Sequence, residues 1–309
     1  MHASVVDLIG NTPLLPLRRI VPEGSAKILV KFESANPTGS MKDRAALAIV
    51  RRAAESGKLE PGGTIVECTS GSTGTSLASV AVALGYHCHL VSSDAFSDEK
   101  LSHMRALGAE LQIVPSNNKQ ITAELVKALI EASRQLSMKP HHFWADQFNN
   151  ADVLAGYSGL ADEIWNQTDG RIDAFVQAVG TGGSLRGTAE GLKCHSSAIR
   201  IVAVEPEESP VLSGGQPGSN FIEGIGMGYV VPLWRPGIVN EIETVAAADA
   251  MAMARRLARE EGLFAGASSG ANVVAALRLA ERLGPKAIIV TLMIDTGIKY
   301  LSTEVYREQ

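Results

Sequence analysis

Cysteine is scarce and unpaired in this chain. The 309 residues hold three, Cys68, Cys88 and Cys194, far apart and with no Cys-x-x-Cys pair, which argues against a disulfide framework and a thiolate zinc cluster. Histidine is no better placed for metal. Seven are present, none in a His-Glu-x-x-His arrangement, and the adjacent His141 and His142 would point to opposite sides of an extended segment, so no metal is expected. An excess of positive charge is missing too. Twenty-eight Lys and Arg against 33 Asp and Glu leave a net charge of −5, with no electrostatic ground for binding nucleic acid or an anionic membrane. No apolar run approaches the length that spans a bilayer. The opening MHASVVDLIGNTPLL lacks the basic start and continuous apolar centre of a secretory signal, so a cytoplasmic protein is expected. Internal repeats and low-complexity tracts are also absent.

What is present is alternation. Short β-rich runs occur at 27–32, 64–67, 87–91, 110–114, 173–179, 199–204 and 287–292. Segments with helical periodicity lie between and around them, at 40–57, 73–84, 97–107, 121–136, 151–166, 184–193, 247–261 and 269–283. Strand–helix–strand order predicts an α/β fold, with mostly parallel twisted sheets carrying helices on both faces. Strands covered on both faces should read as continuous apolar runs, and FVQAV and AIIVTL nearly do. The pattern breaks near Asn36-Pro37 and again in PHHFWADQFNN (140–150), which predicts two domains, 37–146 and the remainder, 1–36 with 147–309.

Three glycine-rich turns lead from strand patterns into helix patterns. VGTGGSLRG (179–187) allows close approach of backbone N–H groups to an anion at a helix start, so Gly180, Thr181, Gly182, Gly183 and Ser184 read as a phosphate cup. ECTSGSTGTSLA (67–78) sets Thr69, Ser70, Ser72 and Thr73 around Gly71 and Gly74; four hydroxyls are more than one helix cap needs and suit a small carboxylate. In FAGASSGANV (264–273), capping by Ser268 or Ser269 is a sufficient explanation. A rival reading takes Gly180-x-Gly182 as part of a dinucleotide fingerprint, with Glu205 as the ribose-binding acid; the third glycine is missing, because position 185 is Leu. SANPTGSMKDR (34–44) places one lysine, Lys42, behind a turn and at a helix start.

These motifs, in order, resemble the cysteine synthase (O-acetylserine sulfhydrylase) and cystathionine β-synthase family of fold-type II pyridoxal-phosphate enzymes, the tryptophan synthase β-like fold. The resemblance runs through IGNTPLLPL (9–17), ESANPTGSMKDRAA (33–46), TSGSTG (69–74), DQFNN (146–150), GTGGS (180–184), EGIGMGY (223–229), SSGAN (268–272) and DTGIKYLST (295–303). It implies that Lys42 forms the Schiff base with pyridoxal 5′-phosphate, and that a lysine at a helix N-terminus in a desolvated pocket has a disfavoured charged form. Gly180 to Ser184 would hold the cofactor phosphate and Ser268 the pyridine nitrogen. Thr69, Ser70, Gly71, Thr73 and Gln147 would bind the substrate α-carboxylate, and the Gly224–Gly228 stretch would line the face where the β-substituent departs. The part 37–146 becomes a small mobile substrate-binding domain and the remainder a large cofactor-binding one.

The activity implied is β-replacement: L-cysteine from O-acetyl-L-serine and sulfide through an α-aminoacrylate, with Lys42 as general base. A homodimer, a serine acetyltransferase partner and a bare catalytic unit are expected on the same ground. The chain departs from the family pattern at Ser72, where Asn beside the cofactor's 3′-oxygen is usual. Other reactions on serine or cysteine derivatives stay open for that reason, namely O-phosphoserine use, cystathionine or diaminopropionate synthesis, and cysteine desulfhydration. The absence of Lys and Arg from 214–228 favours a neutral ester over a phosphate as leaving group. A sensor that keeps the fold without turnover is the non-enzyme alternative, and the intact Lys42 argues against it.

Overall fold

A computed structural model describes residues 2–118 and 122–307. In chain order the strands are β1 (Leu14–Pro16), β2 (Lys27–Phe32), β3 (Thr64–Cys68), β4 (His87–Ser93), β5 (Glu110–Val114), β6 (His142–Trp144), β7 (Ala174–Ala178), β8 (Arg200–Pro206), β9 (Glu241–Val245) and β10 (Ile288–Met293). The helices are α1 (Lys42–Glu55), α2 (Ser72–Leu84), α3 (Asp98–Ala106), α4 (Ala123–Ser137), α5 (Asp152–Gln167), α6 (Gly183–His195), α7 (Ala247–Arg256) and α8 (Ala267–Leu283). The chain forms two compact units, Met1–Ile9 with Asn36–Gly156, and Gly10–Ala35 with Tyr157–Gln309. Residues 1–9, 36 and 147–156 thus fall in the unit that holds 37–146, whereas the sequence expectation set them with the other.

The first unit is built on a parallel sheet of order β5-β4-β3-β6. Val66, Cys68 and Val91 from this sheet pack with Leu125, Leu129 and Leu136 of α4. Helix α1 buries Ala45, Ala46, Ile49, Val50 and Ala53, the stripe a 3.6-residue repeat produces. Thr122 caps α4, its Oγ1 accepting the Leu125 amide at 3.2 Å; position 121, where the sequence pattern begins this helix, lies outside the described residues.

The second unit carries a sheet of order β1-β2-β10-β7-β8-β9, parallel except for the antiparallel β1–β2 edge. Central β10 sets Ile289 beside Ile28 on one side and Ala174 on the other. Every residue of β7 is buried, as is most of β8 and β10, which is why these strands read as apolar runs. The periodic segment 247–261 is not one α-helix: α7 ends at Arg256 and continues as a wide π turn over Leu257–Glu261. Strands β1, β6 and β9 have no counterpart in the sequence pattern. The first two are three residues long, too short to show a period, and β9, EIETV at the sheet edge, carries two glutamates.

Strand β2 contains a cation that the surrounding core has to satisfy. Lys31 is fully buried, and its Nζ donates to the Thr12 carbonyl at 2.5 Å and to Gln167 Oε1 at 2.8 Å and pairs with Glu163 at 2.6 Å. Glu163 also accepts the Asn11 amide at 2.8 Å, so this cluster fixes residues 11–12 onto β2 and α5. Removing the buried cation takes one partner from Glu163 and a donor from both the Thr12 carbonyl and Gln167. Lys31→Met should therefore cost about 3–5 kcal/mol of stability, read as a lowered urea midpoint with unchanged secondary structure before the transition.

Candidate active site

Lys42 is the first residue of α1 and is half-buried. Its approach is a turn in which Gly39 N–H donates to the Asn36 carbonyl at 2.7 Å, and its own amide donates to Ser40 Oγ at 3.2 Å. The next residue, Asp43, is buried and fastens the lysine's setting. Its carboxylate accepts the Thr38 amide at 2.8 Å and the Thr38 and Ser76 hydroxyls, each at 2.5 Å. Ser76 lies on α2, so Asp43 ties the start of the lysine helix to the helix that follows the 69–74 turn.

That turn leaves the carboxyl end of β3. Thr69 Oγ1 accepts the Gly71 amide at 3.0 Å and the Gly74 amide at 3.1 Å, while Ser92 Oγ holds the Thr69 carbonyl at 2.8 Å. A hydroxyl oxygen that accepts two amides still owns one proton, which leaves Thr69 an outward donor. Among the described residues the amides of Ser70 and Thr73 donate to no protein acceptor, and the Ser70 side chain is exposed. The Thr73 hydroxyl donates to Gln147 Oε1 at 2.8 Å, and Gln147 Nε2 donates to the Cys68 carbonyl at 3.1 Å. The structure therefore brings Thr69, Ser70, Gly71, Ser72, Thr73 and Gln147 together in one unit. Gly71 is required there sterically, because a Cβ would lie 2.6 Å from Cδ of the buried Lys100, whose stem crosses it.

In the second unit, Gly180 to Ser184 join the carboxyl end of β7 to α6. Among the described residues the amides of Thr181, Gly182, Gly183, Ser184 and Leu185 donate to no protein acceptor, the open ladder of a helix start. A Cβ at Gly180 would collide with the Gly224 carbonyl, which sets the 223–228 segment against the cup; the Gly226 amide donates to the Val179 carbonyl at 3.1 Å. Asn220 staples that segment through Ile222 and Ile225. Ser268 is buried in the first turn of α8, and its hydroxyl makes no hydrogen bond among the described residues. Neither it nor Ser269 caps the helix: the cap is Gly266, and Ser269 Oγ instead accepts the Ile294 amide at 2.9 Å. Glu205, the acid of the dinucleotide reading, is buried, and its two oxygens accept the amides of Leu212 (2.7 Å) and Ser213 (2.9 Å), so its carboxylate holds the following loop and is not presented at the surface.

Residues 5–295 match the family of pyridoxal-phosphate dependent enzymes. The chain belongs to this family. A cysteine synthase of Staphylococcus aureus is 41% identical over 305 residues, covering 98% of this chain and 96% of that protein. The solved structure of a cysteine synthase from Entamoeba histolytica aligns with a TM-score of 0.94 at 36% identity, over 100% of this chain and 92% of that one. An O-acetylserine dependent cystathionine β-synthase from Helicobacter pylori aligns with a TM-score of 0.92 at 35% identity, over 99% of both chains. The architecture is that of the fold-type II enzymes, and the cofactor is pyridoxal phosphate. The residues present fit it: five adjacent open amides above a turn too tight for a side chain suit its phosphate, and a half-buried lysine at a fastened helix start suits its aldehyde. Among the described residues, no helix is long and apolar enough to cross a membrane, and no three His, Cys, Asp or Glu side chains group as metal ligands would.

Two supporting residues were not singled out in the sequence. Gln177 interrupts the apolar run of β7, fully buried, and donates through Nε2 to Ser184 Oγ at 2.5 Å. Ser184 thereby accepts one hydrogen bond and keeps its own proton as a donor. Asn272, also buried, accepts the Ala178 amide at 2.7 Å and donates to the Leu292 carbonyl at 2.9 Å, pinning the end of β7 to α8 and β10. The only hint was a polar residue within an apolar run. Gln177→Met keeps shape and removes the donor, so the Kd for pyridoxal phosphate should rise by about tenfold, measured by titrating the apoprotein, with little change in its melting temperature.

Proposed function

We propose that this enzyme makes L-cysteine by β-replacement, exchanging the acetoxy group of O-acetyl-L-serine for sulfide. Pyridoxal phosphate, when bound, withdraws electrons from the amino acid's Cα, which lets Cα give up its proton and Cβ its leaving group. Lys42 is the residue that carries the cofactor, and its freed Nζ takes the Cα proton and later returns it. Acetate leaves Cβ with its bonding pair, and hydrosulfide supplies the new pair. Gly180, Thr181, Gly182, Gly183 and Ser184 hold the phosphate, Ser268 meets the pyridine nitrogen, and Ser72 stands toward the 3′-oxygen. Thr69, Ser70, Gly71, Thr73 and Gln147 receive the α-carboxylate, and Gly224 lines the side where acetate departs.

The observation that carries this reading is the 69–74 turn, where the Thr69 proton and the open amides of Ser70 and Thr73 offer several donors to one small anion. The likeness over nearly the whole chain to cysteine synthases supports the reaction, and the absence of Lys and Arg from 214–228 supports a neutral ester. The Helicobacter pylori neighbour favours a second reading, in which homocysteine replaces sulfide as the nucleophile. A cytoplasmic homodimer, a mobile 37–146 part that shields the reaction from water, and a serine acetyltransferase partner complete the proposal; they rest on the family resemblance.

Incubation with O-acetylserine and either sulfide or homocysteine, followed by product analysis, separates the readings. Cysteine is expected with sulfide, and Lys42→Ala should lower kcat/KM by at least about a thousandfold. Turnover of O-phosphoserine in place of O-acetylserine would overturn the assigned leaving group.

A further inference from the structure

One buried carboxylate beneath the 69–74 turn has no part in the chemistry above. Glu67 is fully buried near the end of β3, and its two oxygens serve different segments. Oε1 accepts the amide of Cys68 at 2.9 Å, and Oε2 accepts the amide of Gln147 at 2.9 Å, from the loop that leaves the neighbouring strand β6. Gln147 then spends its side chain on the turn itself, accepting from Thr73 and donating to the Cys68 carbonyl.

We propose that Glu67 is a positioning residue for the amino-acid substrate: its carboxylate fixes Gln147, and Gln147 fixes Thr73 in the turn that receives the α-carboxylate. The inference rests on the substrate role proposed above for that turn. Both amides are held only while Glu67 is ionised. A protonated carboxyl keeps one good acceptor oxygen and turns the other into a donor, so one of the two amides is released.

The proton on Glu67 is in play near neutrality. Burial pushes its pKa up to about 7; the Gln147 and Cys68 amides oppose this, and the charge of neighbouring Asp146 adds to it. The other titratable groups facing it are thiols, Cys68 beside it and Cys88 on β4. Burial pushes the Cys68 thiol well up and the Cys88 thiol up to about 12, so both stay neutral. For folding, a raised carboxyl pKa is stability present below about 4.5 and lost as pH rises through about 7, because the fold favours the protonated form. For substrate the sign is opposite: the anion is the holding form, so KM for the amino acid should rise as pH falls through about 7.

The test compares the pyridoxal-phosphate-loaded wild type with Glu67→Gln and Gln147→Ala, measuring kcat and KM for O-acetylserine between about pH 6 and 8. Glutamine keeps one acceptor and faces the second amide with a donor. Glu67→Gln should raise KM about tenfold or more with kcat within about threefold, and should abolish the rise of KM on the acid side; the ratio of the two profiles cancels substrate ionisation. Gln147→Ala should raise KM as well. If it does while Glu67→Gln alters neither KM nor its pH dependence, the proposal is overturned and the substrate role of the turn stands. If Gln147→Ala leaves KM unchanged, both fall together. Should Glu67→Gln fail to fold, the wild-type profile decides: KM that is flat, or that falls toward acid, overturns the proposal.

Discussion

Polar groups in this protein can leave the sheets only at the strand ends. The parallel strands β3, β4, β7, β8 and β10 are covered on both faces, and the ladder uses up their amides and carbonyls. The candidate site loops therefore emerge at carboxyl ends: 69–74 after β3, Gln147 after β6, and 180–184 after β7. Two of the three lead directly into helices, whose first amides have no intrahelical acceptor. An open sheet with its helix starts at one end is thus already a receiver of small anions, before any side chain is chosen.

Keeping such loops in one conformation falls largely to buried carboxylates that accept backbone amides. Asp43 holds Thr38, Glu67 holds Cys68 and Gln147, and Glu205 holds Leu212 and Ser213; the partly exposed Glu261 does the same for the amides of Arg18, Arg19 and Ile20 at 2.6–3.0 Å. A hydrogen bond to an ionised acceptor contributes about 1.5–3 kcal/mol, more than a neutral one, and it offsets the desolvation of the carboxylate. The Thr69 and Ser184 hydroxyls accept from donors within the protein, which leaves each its own proton to give.

The regular elements were legible because their signals are local. Residues 27–32 and 110–114 have the observed bounds of β2 and β5, and the periodic runs at 73–84 and 151–166 each lie within one residue of α2 and α5. Strands of three residues were not legible, since no period fits in them, and a run that kept its periodicity through 257–261 hid the change from α to π winding. At the candidate site, the glycines and hydroxyls of 69–74 and 180–184 stood out by crowding. Their supports did not. Glu67 reads as one acid in a β-run, Gln177 as a blemish in an apolar strand, and Asn272 as one residue of a helix start.

The sequence by itself determined the α/β order, the glycine- and hydroxyl-rich turns that lead into helices, and the family, because each depends on neighbours within a few residues or on motifs kept in order. Only the tertiary structure decided which polar groups remain available to a ligand. Glu205 lost its nucleotide role to two amides seven and eight residues on, and Ser269 was taken by Ile294, whereas Ser268 was not. Glu67 was matched to an amide eighty residues away. Such pairings are fixed by the burial of whole strands and helices around them, because a polar atom cut off from water must find its partner wherever packing has placed one.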